Sequence, residues 1–252
     1  MDRRKHVVVS LLMLAFLVGC RANVATSAKT PFGSEPQGRR HAAGDAPRYL
    51  KVDAIDGIAL LPDPPSAGSL ENEQEYATLE RLQQTRSDAD AARAKREATM
   101  DVFVFDTVLG PWFKNANCPR TAALFAQIGA DARYFSNGGK KHWSRPRPTT
   151  RASFVPMLSE PSASYPSGHS ARATCWAEIL VDTFPDKRDA LLARGREIGF
   201  DRAIAGVHFP TDIYGGRVIG HAVAQKLLEN PTFRADLARV KAELQSAAAA
   251  NP

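Results

Sequence analysis

The sequence predicts an all-α fold, a single-domain helical bundle, on three observations. Runs of alternating β-branched residues are nearly absent. Long windows repeat apolar residues at three- and four-residue spacing. Gly and Pro fall between those windows as punctuation. The 252 residues suffice for one domain with a sizeable core, and 44% hydrophobic with 24% charged content is ordinary for a globular protein. No internal repeat is present.

The folded domain is expected to span residues 48–252, beginning near Tyr49-Leu50. Leu60-Leu61-Pro62-Asp63-Pro64-Pro65 reads as extended, because residues before Pro avoid helical torsions. Glu71 to Met100 holds no Gly or Pro and reads as helix, with Leu70, Tyr76, Leu79 and Leu82 as a partial apolar stripe. Arg86 to Arg96 is mostly charged residues and Ala, which predicts a solvated face. Asp101 to Leu109 continues the pattern until Gly110-Pro111 breaks it. Pro119 suits the first position of a helix running to about Phe135, which Asn137-Gly138-Gly139 should stop. A loop rich in Arg and Pro follows from Lys140 to Pro166. A helix beginning near Ser167 places Ala173, Trp176, Ala177, Leu180 and Phe184 on one face. Arg188–Phe200, Thr211–Glu229 and Pro231–Ala249 read as three more helices.

The N-terminus has a different character. Arg3-Arg4-Lys5 precedes an apolar run from Val7 to Val18 that is too short to span a bilayer and has signal-peptide proportions. It ends in Leu17-Val18-Gly19-Cys20, which resembles a bacterial lipobox. The expectation is a lipoprotein-type signal peptide at 1–19, a lipidated Cys20, and a flexible tether over 20–47 rich in Ala, Ser, Thr, Gly and Pro. A plain secretory signal is the alternative. Either reading puts the chain in a bacterial envelope facing the periplasm, the first of them on a membrane through its lipid, with the outer membrane favoured. Cys118 and Cys175 then form either a disulfide or two buried thiols, and spacing does not choose between them.

Three segments concentrate reactive side chains. They are Lys140 to Pro148, with Arg147; Tyr165-Pro166-Ser167-Gly168-His169; and Asp201-Arg202 followed by His208 and Asp212. The formal charge of +6 comes without a long Lys/Arg run interleaved with aromatics, which argues against a nucleic-acid partner. Arg and Lys clustered near His suit a small anion instead. A phosphate monoester spreads charge over three oxygens during transfer. Arg147 and Arg202 can each fork onto two oxygens, and Lys140 adds a point charge. Ser167 and Gly168 head a helix, where N–H groups and the helix dipole favour an anion.

The order Lys-x6-Arg-Pro, Pro-Ser-Gly-His, Arg-x5-His-x3-Asp resembles the type 2 phosphatidic acid phosphatase superfamily, which includes the bacterial class A non-specific acid phosphatases and the vanadium haloperoxidases. Likeness to the class A enzymes extends to Leu60–Pro65, Ser164–His169 and much of Arg194–Leu244. The resemblance implies that family's helical bundle and a metal-independent acid phosphatase with no cofactor, acting on small phosphate esters and inhibited by vanadate. It implies that His208 attacks phosphorus, Asp212 fixes its tautomer, and His169 exchanges a proton with the leaving oxygen and then with water. Phosphate would rest on Lys140, Arg147, Ser167, Gly168 and Arg202. Asp201 stands where the family has Ser, and it is expected to face away and pair with an Arg. Three alternatives stay open: a lipid or polyprenyl phosphate phosphatase, a vanadate-dependent halide oxidase, and a non-enzymatic phosphate-binding envelope lipoprotein. A homo-oligomer is also left open.

Overall fold

The computed structural model describes residues 46–251. The signal peptide, Cys20 and most of the tether lie outside them. Nine α-helices occur among the described residues: α1 Gly57–Leu60, α2 Leu70–Thr85, α3 Asp88–Arg96, α4 Asp106–Leu109, α5 Pro119–Trp143, α6 Gly168–Thr183, α7 Arg188–Ile204, α8 Pro210–Glu229 and α9 Pro231–Ala249. The described residues contain no strand beyond an isolated bridge between Arg151 and Phe154. None of their helices is long and apolar enough to cross a membrane.

Three expectations are corrected, two of them in the window from Ser69. The helical window from Ser69 divides into α2 and α3, because Ser87 and Asp90 form a reciprocal capping box that starts a new helix. The charged stretch of α3 is not simply solvated. Ala94 is fully buried, and Arg93 reaches across to α7. The third correction matters more. Helix α5 runs through Asn137-Gly138-Gly139 to Trp143, where Ser144 closes it in the left-handed conformation. Each Gly costs about 1 kcal/mol of helix propensity, but Gly139 is buried against Pro166. A Cβ there would fall 2.6 Å from the Pro166 ring. Close packing outweighs propensity and places Lys140 on the last turn of a helix rather than in a loop.

Helix α6 is the central element, packed on α5, α7 and α8. Ala173, Cys175, Trp176, Ile179 and Leu180 are buried along it and meet Ile128, Ile198, Ile219 and Val223. Trp176 also donates its indole N–H to the Phe125 carbonyl at 3.0 Å. Replacing so large a core side chain by Ala costs about 3–5 kcal/mol. The α6–α8 contact is closer still. A Cβ on Gly216 would lie 2.3 Å from the Ser167 carbonyl oxygen, and one on Gly220 the same distance from that of Ala171. Ser167 N–H also donates to the Asp212 carbonyl at 2.9 Å, and Ser170 Oγ to that of Ile213 at 2.8 Å. These contacts seat the start of α6 against the start of α8. Cys118 and Cys175 are free and buried.

Candidate active site

His208 sits in the turn between α7 and α8 and is 1% exposed. Pro210 and Asp212 follow at the first and third positions of α8, so the Asp212 carboxylate folds back on the turn. Its Oδ2 accepts from Phe209 N–H at 2.8 Å, from Ser164 Oγ, and from His208 Nδ1 at 3.2 Å. Arg145 donates to Oδ1 at 2.6 Å. Burial alone would raise this carboxyl, but the His208 hydrogen bond with the Arg145 charge and Ser164 holds it below the usual range. An ionised carboxylate can only accept, so Nδ1 of His208 carries the proton. Its Nε2 then has a free lone pair, which accepts from Arg147 Nη1 at 3.1 Å. Burial pushes His208 down to about 4, against the partial rescue by Asp212.

Of three sequence-predicted cations, Arg147 touches that nitrogen, the Lys140 charge also acts on His208, and Arg202 lies within charge reach of Arg147 and His169. Lys140 donates from the end of α5 to the carbonyls of Ala163 and, at 3.3 Å, Ser164. Burial and the nearby Arg147 charge push its amine down to about 8. Arg147 is braced by the Ser162 carbonyl at 2.7 Å and the Val207 carbonyl at 2.6 Å. Arg202, on the last turn of α7, is fully buried, and burial holds it and Arg147 below the usual guanidinium range. Its Nε is buried without a partner. Ser167 caps α6, accepting from Ser170 N–H at 3.3 Å. The N–H groups of Gly168 and His169 head that helix, where no preceding turn supplies acceptors.

His169 occupies the second position of α6, and its Nε2 lies 3.0 Å from the Ala98 carbonyl. A carbonyl can only accept, so Nε2 carries the proton and Nδ1 is bare. Burial, then the charges of Arg202 and Arg172, push this imidazole down to about 2. It is neutral in the empty site.

Sequence reasoning missed several participants. Arg145 is 5% exposed and spans Asp212 and Glu75, the latter at 2.5 Å. Glu75 in turn accepts from Thr211 N–H and Oγ1, at 3.0 and 2.6 Å. Ser164 bridges toward His208 as well as Asp212. Glu160 places its carboxylate 3.3 Å from Arg202, and its charge also supports Lys140, Arg147 and Arg172. Only Arg145 carried a signal, its two-residue offset from Arg147. Asp201 is fully buried and faces away from the cations, taking both Nε and Nη2 of Arg93 at 2.8 Å.

A helical frame that closes a His–Asp pair beside several buried cations defines a protein built to hold a small anion. Residues 121–232 match the family model described as PAP2 superfamily, which is consistent with the resemblance carried by the three motifs. It is 29% identical over 245 residues to the non-specific acid phosphatase of Providencia stuartii, covering 92% of this chain and 96% of that one. It is 31% identical over 149 residues to the non-specific acid phosphatase of Salmonella typhimurium, covering 56% of this chain and 59% of that one. Among solved structures, the transmembrane PAP2-type phosphatidylglycerolphosphate phosphatase from Bacillus subtilis aligns with a TM-score of 0.48 at 20% identity. That alignment covers 67% of this chain and 87% of that one.

Proposed function

We propose that this protein is an acid phosphatase that hydrolyses phosphate monoesters through a phosphohistidine on His208, without a metal. The observation that carries the reading is the fixed tautomer of His208: a protonated Nδ1 on Asp212 and a bare Nε2 beside Arg147. In the first step Nε2 attacks phosphorus and the ester P–O bond breaks. His169 gives the leaving oxygen its proton. In the second step His169 takes a proton from water, the water oxygen bonds to phosphorus, and the P–N bond breaks to release inorganic phosphate. Lys140, Arg147 and Arg202 neutralise the charge on the equatorial oxygens, with the N–H groups of Gly168 and His169 at the helix head.

Two protonation states suit acid conditions. His208 remains an unprotonated nucleophile down to about pH 4. His169 is neutral in the empty site, through burial first and the Arg202 and Arg172 charges second; the substrate's phosphate charge offsets those two charges and favours its protonation.

Rapid quenching with phosphorus-labelled substrate tests the reading. Wild type should yield an alkali-stable phosphoenzyme in the presence of EDTA, and His208→Ala should yield none. His169→Ala should lose more activity on alkyl phosphates than on p-nitrophenyl phosphate, whose leaving group departs without an acid. A phosphoenzyme trapped in His208→Ala would reverse the assignment. Vanadate should inhibit competitively. The envelope location rests on Leu17-Val18-Gly19-Cys20. Cys20→Ala should abolish metabolic fatty-acid labelling.

A further inference from the structure

Helix α6 carries a second cation on the face that presents His169. Arg172 lies three residues on, one turn up the same face, so the two side chains are neighbours. Arg172 is half-buried, and its Nε is sequestered from solvent without a hydrogen-bond partner. Its guanidinium stands 5.9 Å from the Trp176 ring centroid. It opens into a cavity of about 240 Å³ whose lining includes Arg133 from α5, Trp176, Phe103, Met100 and Asp101. Asp101 is the one carboxylate in that lining, and it is occupied as the cap of the Val102–Phe105 turn, accepting from Phe103 N–H at 2.9 Å. The cavity therefore offers two guanidinium groups, aromatic and thioether walls, and one carboxylate that is engaged as a cap. It adjoins the proton donor: His169 donates to the Ala98 carbonyl, and Met100, two residues further, is a cavity wall.

The leaving group of the proposed reaction departs on the His169 side. From His169, the next cation along the same face of α6 is Arg172, which lines this cavity. We propose that Arg172 and Arg133 form a second anion subsite, which selects phosphate monoesters whose leaving group bears its own carboxylate or phosphate on an apolar or aromatic body. The subsite's place beside the leaving group rests on the phosphatase reading above. Its binding chemistry does not. Arg172 supplies a guanidinium on the cavity wall, and Arg133 adds charge at its solvent edge.

The test uses two matched pairs of probes. Calorimetry compares benzylphosphonate with (4-carboxybenzyl)phosphonate, which bind without reacting. Steady-state kinetics compares phenyl phosphate with 4-carboxyphenyl phosphate. Wild type should favour the carboxylated member of each pair by roughly tenfold, the size of one well-placed charge pair at a half-buried site. Arg172→Met, which keeps the apolar stem, should abolish that preference. Arg133→Gln, at an exposed position where folding is not at risk, should reduce it by a smaller factor. Equal binding of the two phosphonates by wild type would overturn the proposal. So would an Arg172→Met protein in which both members weaken alike, since Arg172 would then belong to the phosphate clamp. Carboxylate-selective phosphonate binding without hydrolysis of either ester would leave the subsite standing and remove the phosphatase reading.

Discussion

On the proposed reading, Glu160 competes with the substrate's charge for Arg202. Its carboxylate is 3.3 Å from Arg202, and its side chain is 27% exposed. At an effective dielectric of about 20, charges at that separation attract by about 5 kcal/mol. Displacement returns the carboxylate to water and exchanges one anion for another. The net penalty on substrate binding should therefore fall to about 1–2 kcal/mol. Glu160→Gln keeps the volume and removes the charge. It should lower KM for p-nitrophenyl phosphate and the inhibition constant of inorganic phosphate together, by roughly tenfold. The effect should shrink as salt is raised, because the side chain is within reach of counterions. The assay is initial-rate kinetics with phosphate as inhibitor, at two ionic strengths. Unchanged constants, or a KM that rises, would refute the claim that Glu160 competes with the substrate.

Three other outcomes are expected. His208 binds its proton less readily folded, near pH 4, than unfolded, at its ordinary 6.5, so the unfolded chain takes up protons first as pH falls. Its contribution to stability is intact above pH 6.5 and is lost between 6.5 and 4; because His169 titrates in the same direction from 6.5 downward, the contribution is read as the difference in urea unfolding between wild type and His208→Asn across that window, and kcat/KM of wild type should keep its acid limb near pH 4. Arg145→Met strands the carboxylates of Glu75 and Asp212 in the interior and should cost about 3–5 kcal/mol in denaturant unfolding, an effect that Glu75→Gln in the same chain should partly reverse. Asp201→Ser leaves Arg93 without its bidentate partner and should lower Tm while changing KM by less than about threefold, because the carboxylate is spent on Arg93 and reaches Arg202 through charge alone.

The motif spacings made the reactive side chains legible because they are short-range patterns on a few turns. Ser167 at a helix start and Asp212 just inside another are local facts, and local facts survive folding. What sequence could not supply was the pairing of distant charges. Arg145 reads as an ordinary member of an Arg/Pro loop until Glu75 and Asp212, 70 and 67 residues away, enclose it. Glu160 and Arg172 carry no pattern at all. The extent of α5 was misjudged for a related reason. Two consecutive glycines are a strong local stop signal, and only the Pro166 ring lying on Gly139 shows why the helix continues. Solvation was misjudged in α3 because Ala94 is small, and its burial under α7 depends on a partner more than a hundred residues away.

The seam between α6 and α8 has a consequence for how the site can move. At Gly216 and Gly220 the two helices meet main chain to main chain, so their separation is fixed by peptide dimensions and no rotamer change can open it. The start of α6 and the start of α8, with His208 just before it, are therefore held at one spacing. Any opening that admits a substrate must come from the pieces clipped onto this pair: the 148–163 segment that carries Glu160, and the turn around Ala98 that holds His169. An enzyme made this way has a rigid reaction centre behind an adjustable doorway. Changes at Glu160 should alter which esters enter and how fast products leave, while changes at Ser162, Ala163 or Ala98 should also reach Arg147, Lys140 and His169, which those groups hold.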